Sequence, residues 1–358
     1  MTSQIKTWEA LTYQWKVWKF FGLVPPQEGS IWRLPYKILN CFQSQNVSEF
    51  CDNFYLTITV VVCTLKVLNV YLSINKLLKV RPILEELDKR AKSQAEDDIL
   101  LKGKKDAKEC LMFYVRVCFL TYITGNLIVY LSNERRLMYP AWYPWNWKNS
   151  FKYYAISYIY QLYALTAFAV MECINATYAS MHMRLLSAHI GALGIRIQNI
   201  GWQENTIGNN EFDFKQHEEN VYAELINCIK EHEIIVKLFK ITESTISSTF
   251  LIQFISTGLA QCTLGVFFLY HGFSVDMNLL NIIFFFIAVS YMTFNLCYYG
   301  TQLQDEFQNL NAALYSCNWM DQNKKFKKSL LFLLHRSQIY DNINAYILPI
   351  TLPTFLKG

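Results

Sequence analysis

Six histidines and ten cysteines are the side chains of this 358-residue sequence whose chemistry is tested first, and neither set is spaced for catalysis. His217-Glu218 and His232-Glu233 each open like a zinc-protease motif, but positions 221 and 236 hold valine, so no second imidazole follows on the same helix face. His182, His189, His271 and His335 show no metal-ligand spacing either. No Cys-x-x-Cys pair, Gly-x-Ser-x-Gly elbow or glycine-rich phosphate loop occurs. No catalytic residue, metal site or cofactor is therefore expected, and the chain does not read as an enzyme. Most cysteines fall inside apolar runs, where Cys acts as a small hydrophobe; Cys41 and Cys51 are the pair that could sit in an oxidising compartment. The remaining chemistry belongs to three ions embedded in apolar sequence: Lys66, Arg116 and Glu172.

The elements that hold those ions are long and apolar. Hydrophobic residues make up 53% of the chain, aromatic residues 16% and charged residues only 17%. An average soluble chain carries about 25% charge, so too few polar residues are present to coat a water-facing globule. A bilayer crossing needs about 20 apolar residues. Runs of that order lie at about 54–72, 110–131, 151–181, 245–270 and 279–300, and 343–356 is a shorter one. The expectation is an all-α polytopic membrane bundle, with the lipid bilayer as its solvent. The net charge of +5 is small and lies in loops, so no nucleic-acid surface is expected. Lys66 and Arg116 lie near the ends of their runs and are expected to snorkel. Glu172 is expected near or beyond the edge of the hydrocarbon.

Loop charge sets orientation, because short cytoplasmic loops collect Lys and Arg. Connections 73–109, 132–150, 182–244, 271–278 and 301–342 carry ten, three, six, none and five. Alternation of basic and sparse loops places 132–150, rich in Trp and Tyr, outside the cell. Residues 1–53 also carry a cytoplasmic complement: Lys6, Lys16, Lys19, Arg33 and Lys37. A single crossing at 54–72 cannot have both ends in the cytoplasm, so either the N-terminus lies outside against its charge or a crossing is missing between about Arg33 and Asn53. The only apolar stretch there, Leu34 to Phe42, is too short to span. The sequon Asn46-Val47-Ser48 would be a glycosylation site if that segment faced the lumen.

Two segments carry more than topology. Leu225 to Ile235, containing His232, runs at helical spacing toward Phe250-Leu251-Ile252-Gln253-Phe254. The second contains Cys297-Tyr298-Tyr299-Gly300, Ala313-Leu314-Tyr315, Trp319, Lys327-Lys328-Ser329-Leu330-Leu331 and Arg336-Ser337-Gln338. With Gly22-Leu23-Val24-Pro25-Pro26 near the N-terminus, these resemble the insect odorant receptor family over nearly the whole chain. Tyr340 departs from the proline that the family usually has after Arg-x-Gln. The resemblance also leaves the family's first span without a counterpart and ends the chain inside the family's last span. Little current is accordingly expected from residues 1–358 alone.

The resemblance implies a seven-span subunit of a tetrameric, odorant-gated cation channel in the cell membrane of olfactory neurons. It would be a tuning receptor partnered by a shared olfactory co-receptor, and it would take a small volatile organic ligand. By resemblance, 1–53 is a cytoplasmic N-terminus, 54–300 the bundle, 301–342 a cytoplasmic anchor and 343–358 the start of the pore-lining span. His232, Cys297, Gly300, Tyr315, Trp319, Arg336 and Gln338 are the signature and anchor residues. A ligand pocket of apolar character with few polar groups is expected in the outer halves of the spans, from Thr59, Tyr122, Thr124, Tyr154, Tyr158, Ile287 and Tyr291. A gustatory-type chemoreceptor channel is the alternative, and a small-molecule transporter a weaker one, since no internal repeat is evident. A G-protein-coupled receptor is disfavoured by opposite loop charge and by the absence of its Asp/Glu-Arg-Tyr and Asn-Pro-x-x-Tyr motifs.

Overall fold

The computed structural model describes residues 6–14, 16, 47–131, 137–138, 143, 146–148, 150–202, 211–271, 277–340, 343–346 and 348–357. Asn46, the Leu34 to Phe42 stretch and the Gly22 to Pro26 motif lie outside these residues. A 3-10 turn at Thr7–Leu11 precedes α1 (Val47–Leu77), α2 (Val80–Asp88), α3 (Gln94–Leu131), α4 (Phe151–Gln198), α5 (Glu211–His271) and α6 (Met277–Ser316). Then follow α7 (Lys324–Ser337), a two-residue antiparallel pair of β1 (Asn344–Ala345) with β2 (Leu348–Pro349), and α8 (Leu352–Lys357). The fold is mostly helical. Among the described residues, helices at Thr59–Leu77, Gln94–Leu131, Phe151–Gln198 and Ile283–Ser316 are long and apolar enough to cross a membrane. The Thr245–Tyr270 run lies within α5.

The helices outrun the bilayer. At 1.5 Å per residue, the 48 residues of α4 extend about 72 Å, against a hydrocarbon core of about 30 Å. Residues 182–198, expected as connection, continue α4 instead. Two of their charged groups pair with other helices: Arg184 donates to Asp106 and Arg196 to Glu96 and Glu231. The start of α3 is set by a capping box, in which Ser93 Oγ accepts from Glu96 N (3.3 Å) and donates to Glu96 Oε1 (3.2 Å). Gly201, at φ +80°, turns the chain after α4; a side chain there would meet the Asn318 carbonyl oxygen at 3.0 Å.

Packing is asymmetric along the membrane normal. Met171 to Ile190 of α4 are buried without a break, because α3, α5 and α6 all pack around this part of the helix. Toward its N-terminal end, Phe151, Tyr153, Ile156, Ile159 and Tyr163 are exposed. The main core lies at the opposite end of the bundle, where Leu193, Ile197, Leu225, Phe239, Phe307, Leu310 and Phe326 meet. The first turn is fastened to it: Glu9 pairs with Lys104 (2.7 Å), and Arg81 lies 3.9 Å over the Trp8 ring.

Asp88 joins the same contact. Its carboxylate accepts from Thr7 N and Thr7 Oγ1, both at 2.8 Å, and His189 Nε2 lies 3.5 Å away. Burial pushes its pKa up to about 6 despite those donors. A raised carboxyl pKa favours folding below the unfolded value of 3.8, and that contribution is lost as pH rises through about 6. Thermal midpoints of the purified receptor should therefore fall between pH 4 and pH 7. In Asp88→Asn that decline should be shallower; parallel curves would remove Asp88 as its source.

Two expectations are corrected. Lys66 does not snorkel: it is 1% exposed, and its Nζ lies 2.5 Å from Glu172 Oε1. Glu172 is accordingly inside the bundle, where pairing neutralises both charges in a medium that tolerates neither alone. Arg116, in contrast, remains exposed on α3. The apolar run from Ile343 is not one helix. Pro349 and Pro353 interrupt it, Tyr346 adopts φ 57°, and the short β pair and α8 fold back on α5 and α6.

That return explains Gly300. A Cβ at Gly300 would stand 2.0 Å from the Ile350 carbonyl oxygen, a backbone atom with no side-chain freedom to yield. Gly300→Ala should cost about 1–3 kcal/mol by overpacking. Faster proteolysis of the segment after Gln338, with a lowered thermal midpoint, is the expected readout; wild-type behaviour in both would refute the contact.

Candidate functional site

In the outer part of the bundle, α3 and α4 present aromatic and amide groups to each other. Tyr158 Oη donates to Asn126 Oδ1 at 2.9 Å, and Asn126 returns its amide hydrogen to the Tyr122 carbonyl at 2.8 Å. Thr166 Oγ1 lies 3.1 Å from Tyr122 Oη. The rings of Tyr154 and Tyr158, one helical turn apart, stack with centroids 6.2 Å apart, and Trp147 lies 6.5 Å from Tyr154. The loop before α4 closes over this end. Met138 N donates to Gln161 Oε1 at 3.0 Å, and the Tyr143 and Tyr160 rings meet edge to face at 6.4 Å. Gln161 and Ser157 are fully buried beneath it.

The structure thus brings together Tyr122, Tyr154 and Tyr158 of the expected pocket residues. It places the others elsewhere. Thr124 Oγ1 donates to Asn281 Oδ1 at 2.9 Å, joining α3 to α6. Ile287 is 43% exposed, and Thr59 lies on α1, which packs chiefly on α5. Tyr291 stands about 21 Å along α6 from Met277, its ring 4.5 Å from Phe113 and 6.4 Å from Tyr114, apart from the Tyr154 and Tyr158 pair.

Sequence reading missed Asn126, Thr166 and Asn281. A signal was present, since a polar residue inside a spanning run usually bonds a neighbouring helix. Asn126 is one turn from Tyr122, and Thr166 two turns from Tyr158, so each lies on the same face. The groups in this cluster are neutral donors and acceptors among aromatic rings. They suit a small, mostly apolar molecule bearing one hydrogen-bonding group. Among the described residues, no cluster of His, Cys, Asp or Glu could hold a metal.

The signature residues form a second constellation. His232 is 1% exposed, and burial pushes its pKa down to about 4. Its neighbour Glu233 accepts from Arg336 Nη1 of α7 at 3.1 Å. Ser337 Oγ donates to Asn311 Oδ1 at 2.5 Å, tying α7 to α6. Cys297 is wholly buried, and Trp319 packs against the core. Tyr315 is 63% exposed and Gln338 also faces outward, so these two do not join the intramolecular contacts of the others.

Three comparisons bear on this arrangement. The family model described as 7tm Odorant receptor matches residues 46–357. Odorant receptor 2a of Drosophila melanogaster is 30% identical over 355 residues, covering 94% of this chain and 89% of that protein. Putative odorant receptor 19b of the same species is 29% identical over 378 residues, covering 99% of this chain and 95% of that protein. In fold, the chain is similar to the insect olfactory receptor OR5 from Machilis hrabei. The TM-score is 0.72 at 14% identity, over 98% of this chain and 84% of that one. The complex of that receptor with eugenol gives 0.73 at 15% identity, with the same coverage.

Proposed function

The chain belongs to the 7tm odorant receptor family, and on that premise we propose that it is a tuning receptor, the odorant-binding subunit of a heteromeric ligand-gated cation channel. Its partner would be an olfactory co-receptor subunit in a tetramer, in the dendritic membrane of an olfactory neuron. Its ligand would be a small volatile organic molecule. The observation that supports this reading best is the neutral aromatic and amide cluster of Tyr122, Asn126, Tyr154 and Tyr158 between α3 and α4. The eugenol complex of a receptor with the same fold lends weight to a ligand of that size.

Binding there would act on the rest of the molecule through α4. The same helix carries Tyr158 at its outer end, Glu172 in the bundle and Arg196 in the cytoplasmic core. A ligand that prefers one arrangement of the outer cluster would shift the balance between two packings of that rod against α3 and α6. The exposed Tyr315, Leu331 and Phe332 of the cytoplasmic helices are suited to burial against neighbouring subunits.

Patch-clamp of cells co-expressing the receptor and a co-receptor, screened with a broad odorant panel, tests the proposal. An odour-evoked cation current is expected; silence of a full receptor across the panel would defeat it. Tyr158→Phe removes one hydrogen bond, worth about 1 kcal/mol. It should shift the half-maximal concentration of hydrogen-bonding ligands about fivefold while leaving the maximal current intact. An unchanged response to every active ligand would place the pocket elsewhere.

A further inference from the structure

A cleft of about 320 Å³ opens between α3 and α6 at the opposite end of the bundle from the outer cluster. That volume is at the lower edge of the range for small-molecule sites, about 300–1,000 Å³. Its walls are Phe113, Tyr291 and Tyr298, with Asp106, Glu109 and Gln302 at the cytoplasmic side. None of the residues lining it is a lysine, arginine or histidine. The Phe113 and Tyr291 rings lie 4.5 Å apart and tilted by 44°, and Tyr298 is fixed by stacking on Phe294 at 5.8 Å.

Three of the polar groups, Gln302 Oε1, Asp106 and Glu109, are acceptors. Gln302 spends its amide nitrogen on Tyr298 Oη (2.8 Å), while its Oε1 is buried with no hydrogen-bond partner among the described residues. An unsatisfied buried acceptor is costly, so a donor that arrives there gains more than one bound at the surface. Arg184 already holds Asp106, through two bonds that both end on Oδ2. Glu109 has only Lys105 at 3.8 Å, an exposed pair that an incoming cation displaces at little cost. Aromatic faces beside carboxylates and an open carbonyl are the complement of an organic cation.

We propose that this cleft binds an organic ammonium group, seated against the Phe113, Tyr291 and Tyr298 rings and held by Gln302 Oε1 and Glu109. Depth narrows the source. The apolar run of α3 begins after Glu109 and that of α6 ends at Gly300, so the mouth lies at headgroup level on the cytoplasmic side. An ethanolamine headgroup of the inner leaflet reaches it, as does a free cytoplasmic amine.

The test uses the full receptor in nanodiscs of phosphatidylglycerol, which carries no ammonium. Ethanolamine should raise the thermal midpoint saturably, whereas its neutral isostere propan-1-ol should not. Gln302→Leu and Tyr298→Leu should each weaken half-saturation about tenfold, with Tyr298→Phe close to wild type. Repeating the titration in nanodiscs to which phosphatidylethanolamine is added separates the sources. Loss of the ethanolamine response assigns the site to the headgroup, and its persistence assigns it to a free amine. No response in phosphatidylglycerol, an equal response to the alcohol, or unchanged affinity in both leucine variants overturns the proposal. Binding is read without an odorant or a current, so failure here leaves the odorant reading untouched.

Discussion

Lys66→Met should destabilise the receptor more than any other single change in its membrane-spanning part. Lys66 and Glu172 are 1% and 9% exposed, and each is the other's charge partner. Removing the ammonium leaves a carboxylate among α1, α3 and α4 with no cation beside it. Breaking a buried pair from one side costs about 3–5 kcal/mol. The thermal midpoint of the purified protein should fall steeply, and surface expression with it. Glu172→Met should do the same. The double variant should recover most of the loss, since two apolar side chains of similar volume remove both desolvation penalties at once. Should Lys66→Met prove as stable as wild type, the pair carries no structural weight. A double variant no better than either single one would show that the lesion is packing rather than charge.

Arg196→Met is expected to have a comparable effect in the cytoplasmic core. Arg196 bonds Glu96 with two of its nitrogens and Glu231 with the third, and the three side chains are 6%, 2% and 4% exposed. The guanidinium fork is what allows one cation to serve two carboxylates from different helices. Without it, two buried carboxylates face each other, and a loss of about 3–5 kcal/mol follows. Arg196→Lys should recover only part, because an ammonium lacks the fork. The pH dependence has a definite sign. Burial already raises the Glu231 pKa although Arg196 opposes it. A raised carboxyl favours the folded state at low pH and loses that contribution as pH rises. Taking away the opposing cation strengthens the trend, so the deficit of Arg196→Met should be smaller at pH 5 than at pH 7.5. An equal deficit at both would exclude repulsion between Glu96 and Glu231.

What could be read in advance follows from how local each signal is. Spanning runs such as 110–131 and 279–300 are contiguous, so their existence was legible. Family membership was legible from Cys297 to Gln338 for the same reason. The pairing of Lys66 with Glu172 joins residues 106 apart, and nothing along α1 announces it; the snorkelling expectation treated each ion as if its helix stood alone. The outer cluster was half legible. Tyr154 and Tyr158 stand out as an aromatic pair one turn apart, whereas Asn126 becomes meaningful only when α3 is laid against α4. Residues 182–198 read only as part of a connection, although His182, Arg184, His189 and Arg196 lie on the inner half of α4. Three of those four find partners on other elements in Asp106, Asp88, Glu96 and Glu231. Gly300 was recognised as signature, but its reason lies in the Ile350 carbonyl, fifty residues on.

The unbroken burial of Met171 to Ile190 bears on how such a molecule diversifies. Every residue on that stretch touches neighbours on all sides, so nearly any change of size there disturbs several helices together. The outer twenty residues of the same helix face lipid or the outer cluster over much of their circumference and tolerate substitution far more readily. On the proposed reading of the outer cluster as the ligand site, recognition could be rewritten at one end of a rod whose other end is held constant. A lineage of receptors built this way could change its ligand without relearning how to fold.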